Sequence, residues 1–314
     1  MNIRALIGVL GTLCIINTSH AAEPVRLVVA YPAGASLDNL SRSFGEQLRQ
    51  IIGETVVVEN KAGANGTIGA QAVAQAAPNG KTLLIAGDTL VTVNPVLYTK
   101  SNFDIDSLEP LGMLAFQSSV LAVRADNRAR TLPEFIANAK QKEITYSSAG
   151  LGSSGHLMMA NLIAASGIKA IHVPYKGGAP AVMAIMSGEV DAAFLAVGNL
   201  LPYIQQGKLR ALGVSSPARL SALPDTPTMV EAGFKDFAIR NGNLLLAPKG
   251  LPPEIKRELA GQLAQARDSK AFQENLASLG MEAATLGPAE TAQWLKTEGR
   301  RWEQVIKQNG IKVE

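Results

Sequence analysis

Short apolar runs recur along this chain, each followed by a turn of small residues and then by a segment of helical spacing. Residues 25–30 read as a first strand, and Leu40, Phe44, Leu48 and Ile51 then fall on one helical face. A second strand is expected over 55–59, a polar glycine turn over 60–66 and a helix over 68–76, stopped by Pro78-Asn79-Gly80 ahead of a third strand at 82–86. Strands that alternate with helices make a parallel sheet covered by helices. Two strand-like runs lie between Leu111 and Arg124, and 124–127 reads as a connection out of the first domain. A second series follows, with strands at 144–147, 172–175, 190–195 and 209–214 and helices at 157–165, 179–187 and 200–206. Gly188 and Gly207 stop the last two helices. A strand at 243–247 and helices at 254–268, 271–279 and 288–309 form a tail that must pack on one of the two series.

The first residues do not belong to that pattern. Arg4 precedes an apolar stretch over 5–16, and Ser19-His20-Ala21 offers small residues for cleavage after Ala21, with Ala22 a near equivalent. The stretch is too short to span a bilayer. Cys14, the only cysteine, lies inside it behind Leu13, where lipidation would need a small residue. A mature chain without thiols that is nonetheless exported points to a soluble periplasmic protein. With 314 residues, 47% of them hydrophobic and 18% charged, the chain has material for two folded domains. Its net charge of +3 comes from evenly spread Lys and Arg, which argues against nucleic-acid binding.

Two turns stand out. Tyr31-Pro32-Ala33-Gly34-Ala35-Ser36-Leu37-Asp38 leaves backbone N–H groups open at a helix start, where the helix dipole favours an anion. Gly150-Leu151-Gly152-Ser153-Ser154-Gly155-His156 repeats the arrangement in the second series. Ligands of open α/β sheets sit outside the carboxyl ends of strands, so two facing turns would pinch a small anion. Asp38 reads either as a cap or as a ligand contact. A serine hydrolase using Ser153 or Ser154 with His156 is the catalytic alternative, but Gly-x-Ser-x-Gly is out of register at both serines. Gly80-Lys81-Thr82 lacks the first P-loop glycine, since Gln75 stands there, and Gly63, Gly66 and Gly69 do not make a dinucleotide fingerprint. Two isolated histidines after the leader offer no metal site. Trp294 and Trp302 are expected on one packed face of the last helix, and His156 is expected to donate a hydrogen bond to its loop or a ligand.

Together these motifs resemble the Bug-type periplasmic solute-binding proteins of tripartite tricarboxylate transporters. The resemblance is carried by Tyr31-Pro32-Ala33-Gly34 with Asp38 and Arg42, by Val58 through Gly66, and by Gly152-Ser153-Ser154-Gly155-His156. Val173-Pro174-Tyr175-Lys176-Gly177, Gly188-Glu189-Val190-Asp191, Leu223 through Thr228 and Glu231-Ala232-Gly233 extend it over the chain after the leader. It implies an α/β, two-lobed Venus-flytrap fold, each lobe a mostly parallel sheet flanked by helices, with lobe 1 at 22–123 plus 242–314 and lobe 2 at 124–241. It also implies a monomeric, non-enzymatic protein without cofactor or metal that captures a small carboxylate through loop backbone groups. The partners it implies are the membrane subunits of a transporter, or else a sensor built on the same fold. The expected first wall is Tyr31, Ala33, Gly34, Ala35, Ser36 and Asp38 with Gly87 and Asp88. The expected second wall is Ser148, Gly150, Gly152, Ser153 and His156, with Tyr175, Lys176 and Phe194 near the far end of the ligand. One position departs from the family pattern: Ala35 stands where a second glycine is usual.

Overall fold

The computed structural model describes residues 23–100 and 103–312, so the export segment expected at 1–21, with Cys14 inside it, lies outside the described residues. The chain opens as β1 (Val25–Val29), α1 (Ser36–Ile52), β2 (Val56–Asn60), α2 (Thr67–Ala74) and β3 (Thr82–Gly87), the alternation expected from the sequence. Two single-turn helices, α3 (Thr89–Thr92) and α4 (Asn94–Leu97), come before β4 (Leu108–Gln117) and β5 (Ser119–Arg124). The second series is α5 (Leu132–Gln141), β6 (Ile144–Ser148), α6 (Ser154–Ser166), β7 (Ala170–Pro174), α7 (Gly178–Ser187), β8 (Ala192–Ala196), α8 (Val197–Gln205) and β9 (Leu209–Val214). The chain then runs through β10 (Asn241–Pro248), α9 (Pro253–Asp268), α10 (Lys270–Ser278), β11 (Met281–Ala283) and α11 (Pro288–Gln308).

These elements form two sheets, one per lobe. The first has the order β11-β4-β10-β3-β1-β2 and the second β7-β6-β8-β5-β9. The strands β2, β1 and β3 pair in parallel, as do β7, β6 and β8. Each parallel half is continued by an antiparallel strand, β10 beside β3 and β5 beside β8. Leu83, Leu84, Ile85 and Ala86 of β3 are all fully buried, as a strand covered on both faces requires. The core on one face of the first sheet contains Leu40, Phe44 and Leu48 of α1 with Leu259, Leu263 and Phe272 of α9 and α10. The core on the other face contains Ala70 and Val73 of α2 and Leu295 of α11.

The passage between lobes differs from the expected break at Arg124. β4 belongs to the first sheet and β5 to the second, so the chain crosses at Ser118. It returns at Asn241, where β10 begins. The apolar pattern runs unbroken through both strands, which hides the crossing from a periodicity argument. The two passages are bound together: Ser119 N–H donates to Ser215 Oγ at 2.9 Å, Ser215 N–H to the Ser119 carbonyl at 2.9 Å, and Ser215 Oγ to the Ile239 carbonyl at 2.9 Å.

The two tryptophans of α11 are both packed, as expected, but in two different cores. Trp294 stacks obliquely on Phe116 beside the first-lobe core, while Trp302, Val305 and Ile306 sit in a core made by α5, α6 and the second sheet together with Val93 and Leu97 at α3 and α4. Eight residues carry a helix about 12 Å along its axis, enough to pass from one lobe to the next. Trp302 has no exposed surface, so Trp302→Ala should cost about 3–5 kcal/mol in chemical denaturation, with the loss falling on the second lobe and the C-terminal helix together.

Candidate functional site

Between the lobes lies a cavity of about 100 Å³ ringed by the N-termini of four helices. Ala35, Ser36 and Leu37 bring the start of α1 to it, and Ser153, Ser154 and Gly155 the start of α6. Gly178 opens α7, and Ala196 and Asn199 lie at the start of α8. Tyr31, Gly87, Asp88, Thr89 and Gln117 complete the first-lobe wall with Asn241, Gly242 and Asn243 of β10. Ala149, Phe194 and Leu195 complete the second. Among the described residues no lysine, arginine or histidine lines it. The unpaired N–H groups and positive ends of four helices therefore supply the attraction for an anion.

Close backbone approach explains two of the small residues. A Cβ on Gly155 would lie 1.8 Å from the Phe194 carbonyl oxygen, so α6 can start against β8 only with glycine there. A Cβ on Gly198 would lie 2.6 Å from Ser36 Oγ, which brings the starts of α8 and α1 together across the cleft. Tyr98, which follows α4, joins the lobes outside the cavity by donating to the Leu151 carbonyl at 3.2 Å. Ala35, the departure from the family pattern, has φ −70 and ψ 159, an ordinary extended conformation, and its methyl lines the cavity.

Of the residues read from the sequence, the structure gathers Tyr31, Ala35, Ser36, Gly87, Asp88, Ser153 and Phe194 on the cavity wall. The Phe194 ring belongs to the second-lobe core that includes Leu157 and Met158. The others stand off the wall, each for a visible reason. Asp38 is buried, accepting from Gly34 N–H at 2.9 Å, Asn60 Nδ2 at 3.0 Å and Arg42 Nε at 3.1 Å. Burial alone would raise its carboxyl, but those three donors hold it below the usual range. Asp38 thus shapes the first turn, whose tip exposes Ala33 and Gly34. Ser148 is fully buried and shares a 2.7 Å hydrogen bond with His172 Nε2, while Gly150 and Gly152 form the turn ahead of α6. The His156 ring stacks on His172 at 4.1 Å, and its Nδ1 accepts from Gly152 N–H at 3.2 Å. It accepts, where the sequence reading has it donate, because the loop turns an N–H toward it. Tyr175 donates to Glu189 at 2.6 Å, and Lys176 is exposed and does not line the cavity.

Sequence reasoning missed Gln117, Asn199 and the Asn241-Gly242-Asn243 run. The last had a signal: two amides flank a glycine at the head of an otherwise apolar strand.

Comparison with known proteins agrees with this geometry. Residues 40–311 match the family described as the tripartite tricarboxylate transporter family receptor, TctC. Protein BugT of Bordetella pertussis is 30% identical over the whole length of both chains. The structure of the periplasmic binding protein BugD is 33% identical, with a TM-score of 0.86 over 93% of this chain and 99% of that one. An R. palustris protein, Rpa4515 with adipate, is 28% identical, with a TM-score of 0.88 over 92% of this chain and 98% of that one. The chain belongs to the tripartite tricarboxylate transporter receptor family, as a Bug-type periplasmic solute-binding protein with the two-lobed fold.

The buried titratable groups give stability a pH optimum. Burial lowers His156 to about 4 and His172 to about 3, the latter also through His156, and pushes Asp88 up to about 8. The neutral histidines support the fold fully above about pH 6.5, and that support is lost as pH falls toward 4. Asp88 acts in the opposite sense: the folded state holds its proton, so stability falls as pH rises from about 4 to about 8. Two histidines outweigh one carboxyl on the acid side. Denaturant midpoints should therefore peak near pH 6–7, and His172→Gln should flatten the acid limb while Asp88→Asn flattens the limb between about 7 and 8.

Proposed function

We propose that this protein, exported by its N-terminal segment and acting as a monomer, captures a small carboxylate in the cleft and presents it to the membrane subunits of a tripartite transporter. The observation that carries this reading is the ring of four helix N-termini around a cavity that, among the described residues, no cationic side chain lines. Backbone N–H groups can hold a carboxylate without a guanidinium clamp, and seating it between the lobes favours their closed arrangement by the difference in affinity for the two states. The solved relative named with adipate supports the carboxylate class.

The reading excludes catalysis from the site. Ser153 Oγ donates to the Gly150 carbonyl at 2.7 Å, and the His156 ring is engaged with Gly152. The serine–histidine hydrogen bond present, Ser148 with His172, lies off the cleft and joins a fully buried hydroxyl to an imidazole whose basicity is low. On this reading generic esters are not turned over, and Ser153→Ala leaves that null result unchanged.

A thermal-unfolding screen of mono-, di- and tricarboxylates, amino acids, sugars and inorganic cations checks the proposal. At least one carboxylate should raise the apparent stability by about 2.7 kcal/mol at a hundredfold excess over its dissociation constant. Stabilisation by neutral sugars or cations with none by carboxylates would sink it.

A further inference from the structure

Two oxygens on the first-lobe wall have no hydrogen-bond partner among the described residues. Asp88 Oδ2 and Asn241 Oδ1 are both buried without a hydrogen bond, in residues 1% and 7% exposed that line the cavity. Their positions are fixed. Asn241 Nδ2 donates to Ser119 Oγ at 3.3 Å, which leaves the carbonyl as the free end of that amide. The Asp88 N–H donates at 2.8 Å to the carbonyl of Gly242, the residue next to Asn241. Native proteins seldom leave buried polar oxygens unpaired, so two on one wall of a ligand cavity call for a donor from outside the chain, water in the empty cleft or the ligand when it binds.

The surroundings say what kind of donor. Among the described residues Asp88 is the one carboxyl group lining the cavity, and no cationic side chain lines it. The titratable groups that face Asp88 are the Tyr31 phenol, which follows β1, and Glu298 on α11, itself paired with Arg301 at 3.2 Å. Burial pushes the Asp88 carboxyl up to about 8, with the Gly242 N–H opposing and the Glu298 charge adding. The cavity therefore has helix N-termini that offer donors and, apart from them, a first-lobe corner that offers acceptors and a latent negative charge. A second carboxylate would meet this corner only with Asp88 kept protonated and would leave the Asn241 oxygen without a donor. A hydroxyl has one proton to donate, whereas an ammonium has three and a positive charge.

We propose that Asp88 is a specificity-determining residue of this cleft, and that with Asn241 Oδ1 it receives a protonated amine carried by the bound carboxylate. The ligand is then an amino acid or another amino-carboxylate, and the inference rests on the carboxylate reading above. On binding, the ammonium takes the place of the proton on Asp88, and that proton passes to the buffer. The uptake of a cation into a cavity without cationic side chains is thereby balanced at the carboxyl itself.

Calorimetric titration of the full protein decides this with matched sets of equal carbon count: 4-aminobutyrate, 4-hydroxybutyrate, butyrate and succinate, and aspartate, malate and succinate. Amino compounds should bind tightest in at least one set. At pH 7, runs in buffers of different ionisation enthalpy should show close to one proton released per amino-carboxylate bound. Asp88→Asn should weaken that ligand roughly thirtyfold or more, weaken the unsubstituted acid far less, and abolish the proton release. Should Asp88→Asn fail to fold, the proton release of the natural protein decides alone. Equal binding of amino and unsubstituted acids, or tighter binding of the diacid without proton release, overturns the role of Asp88 while the carboxylate reading stands. Failure of every carboxylate in both sets and in the wider screen overturns the carboxylate reading itself.

Discussion

Both lobes hang from two passages of chain that lie side by side, and the hydrogen bonds of Ser119 and Ser215 make those passages a single joint. Ser215 is fully buried, and its backbone and hydroxyl engage Ser119 on the outgoing passage and Ile239 on the return. Everything that forms the cleft is placed relative to this joint. The first sheet ends there in Gln117 and Asn241, both of which line the cavity, and the second sheet begins there at Ser119. Asn241 belongs to both, since its amide reaches Ser119 while its residue lines the ligand space. A polar joint buried on this scale holds only when its partners are satisfied, and here the Ser215 hydroxyl both donates and accepts.

The electrostatics follow from where the helices start. A guanidinium clamp would bind a carboxylate strongly but would carry its own desolvation cost in an empty cleft. Backbone N–H groups at helix starts carry only partial charge, and they are fixed by the fold before the ligand comes. The rigidity of the first turn comes from Asp38, which gathers Gly34, Asn60 and Arg42 around a buried carboxylate. Asp38 therefore acts one layer behind the cavity, which is why a carboxylate at a helix start could be read from sequence either as a cap or as a contact.

The parts of the fold that depend on local pattern were legible in the chain. Turn residues and apolar spacing marked the βα units, and the small residues at 31–38 and 150–156 marked the two walls. What depends on tertiary crossing was not. The apolar run through β4 and β5 has no break where the chain changes sheet, and β11, three residues long, is too short for any periodicity to show. Tyr175 and Lys176 follow a strand end, as a ligand contact would, yet Tyr175 turns to Glu189. The acceptors at Asn241 could not be placed, because strand β10 reaches the cleft only by returning from the other lobe.

The C-terminal helix carries a mechanical consequence. A joint of two strands alone would let the lobes part like the covers of a book, in any direction the strands can bend. With Trp294 beside one core and Trp302 inside the other, α11 is a strut across the spine. A swing that lengthened the strut would draw a tryptophan out of apolar surroundings, so the inexpensive swing is the one whose axis runs close to α11. A helix that does not line the cavity thereby restrains how the lobes can part.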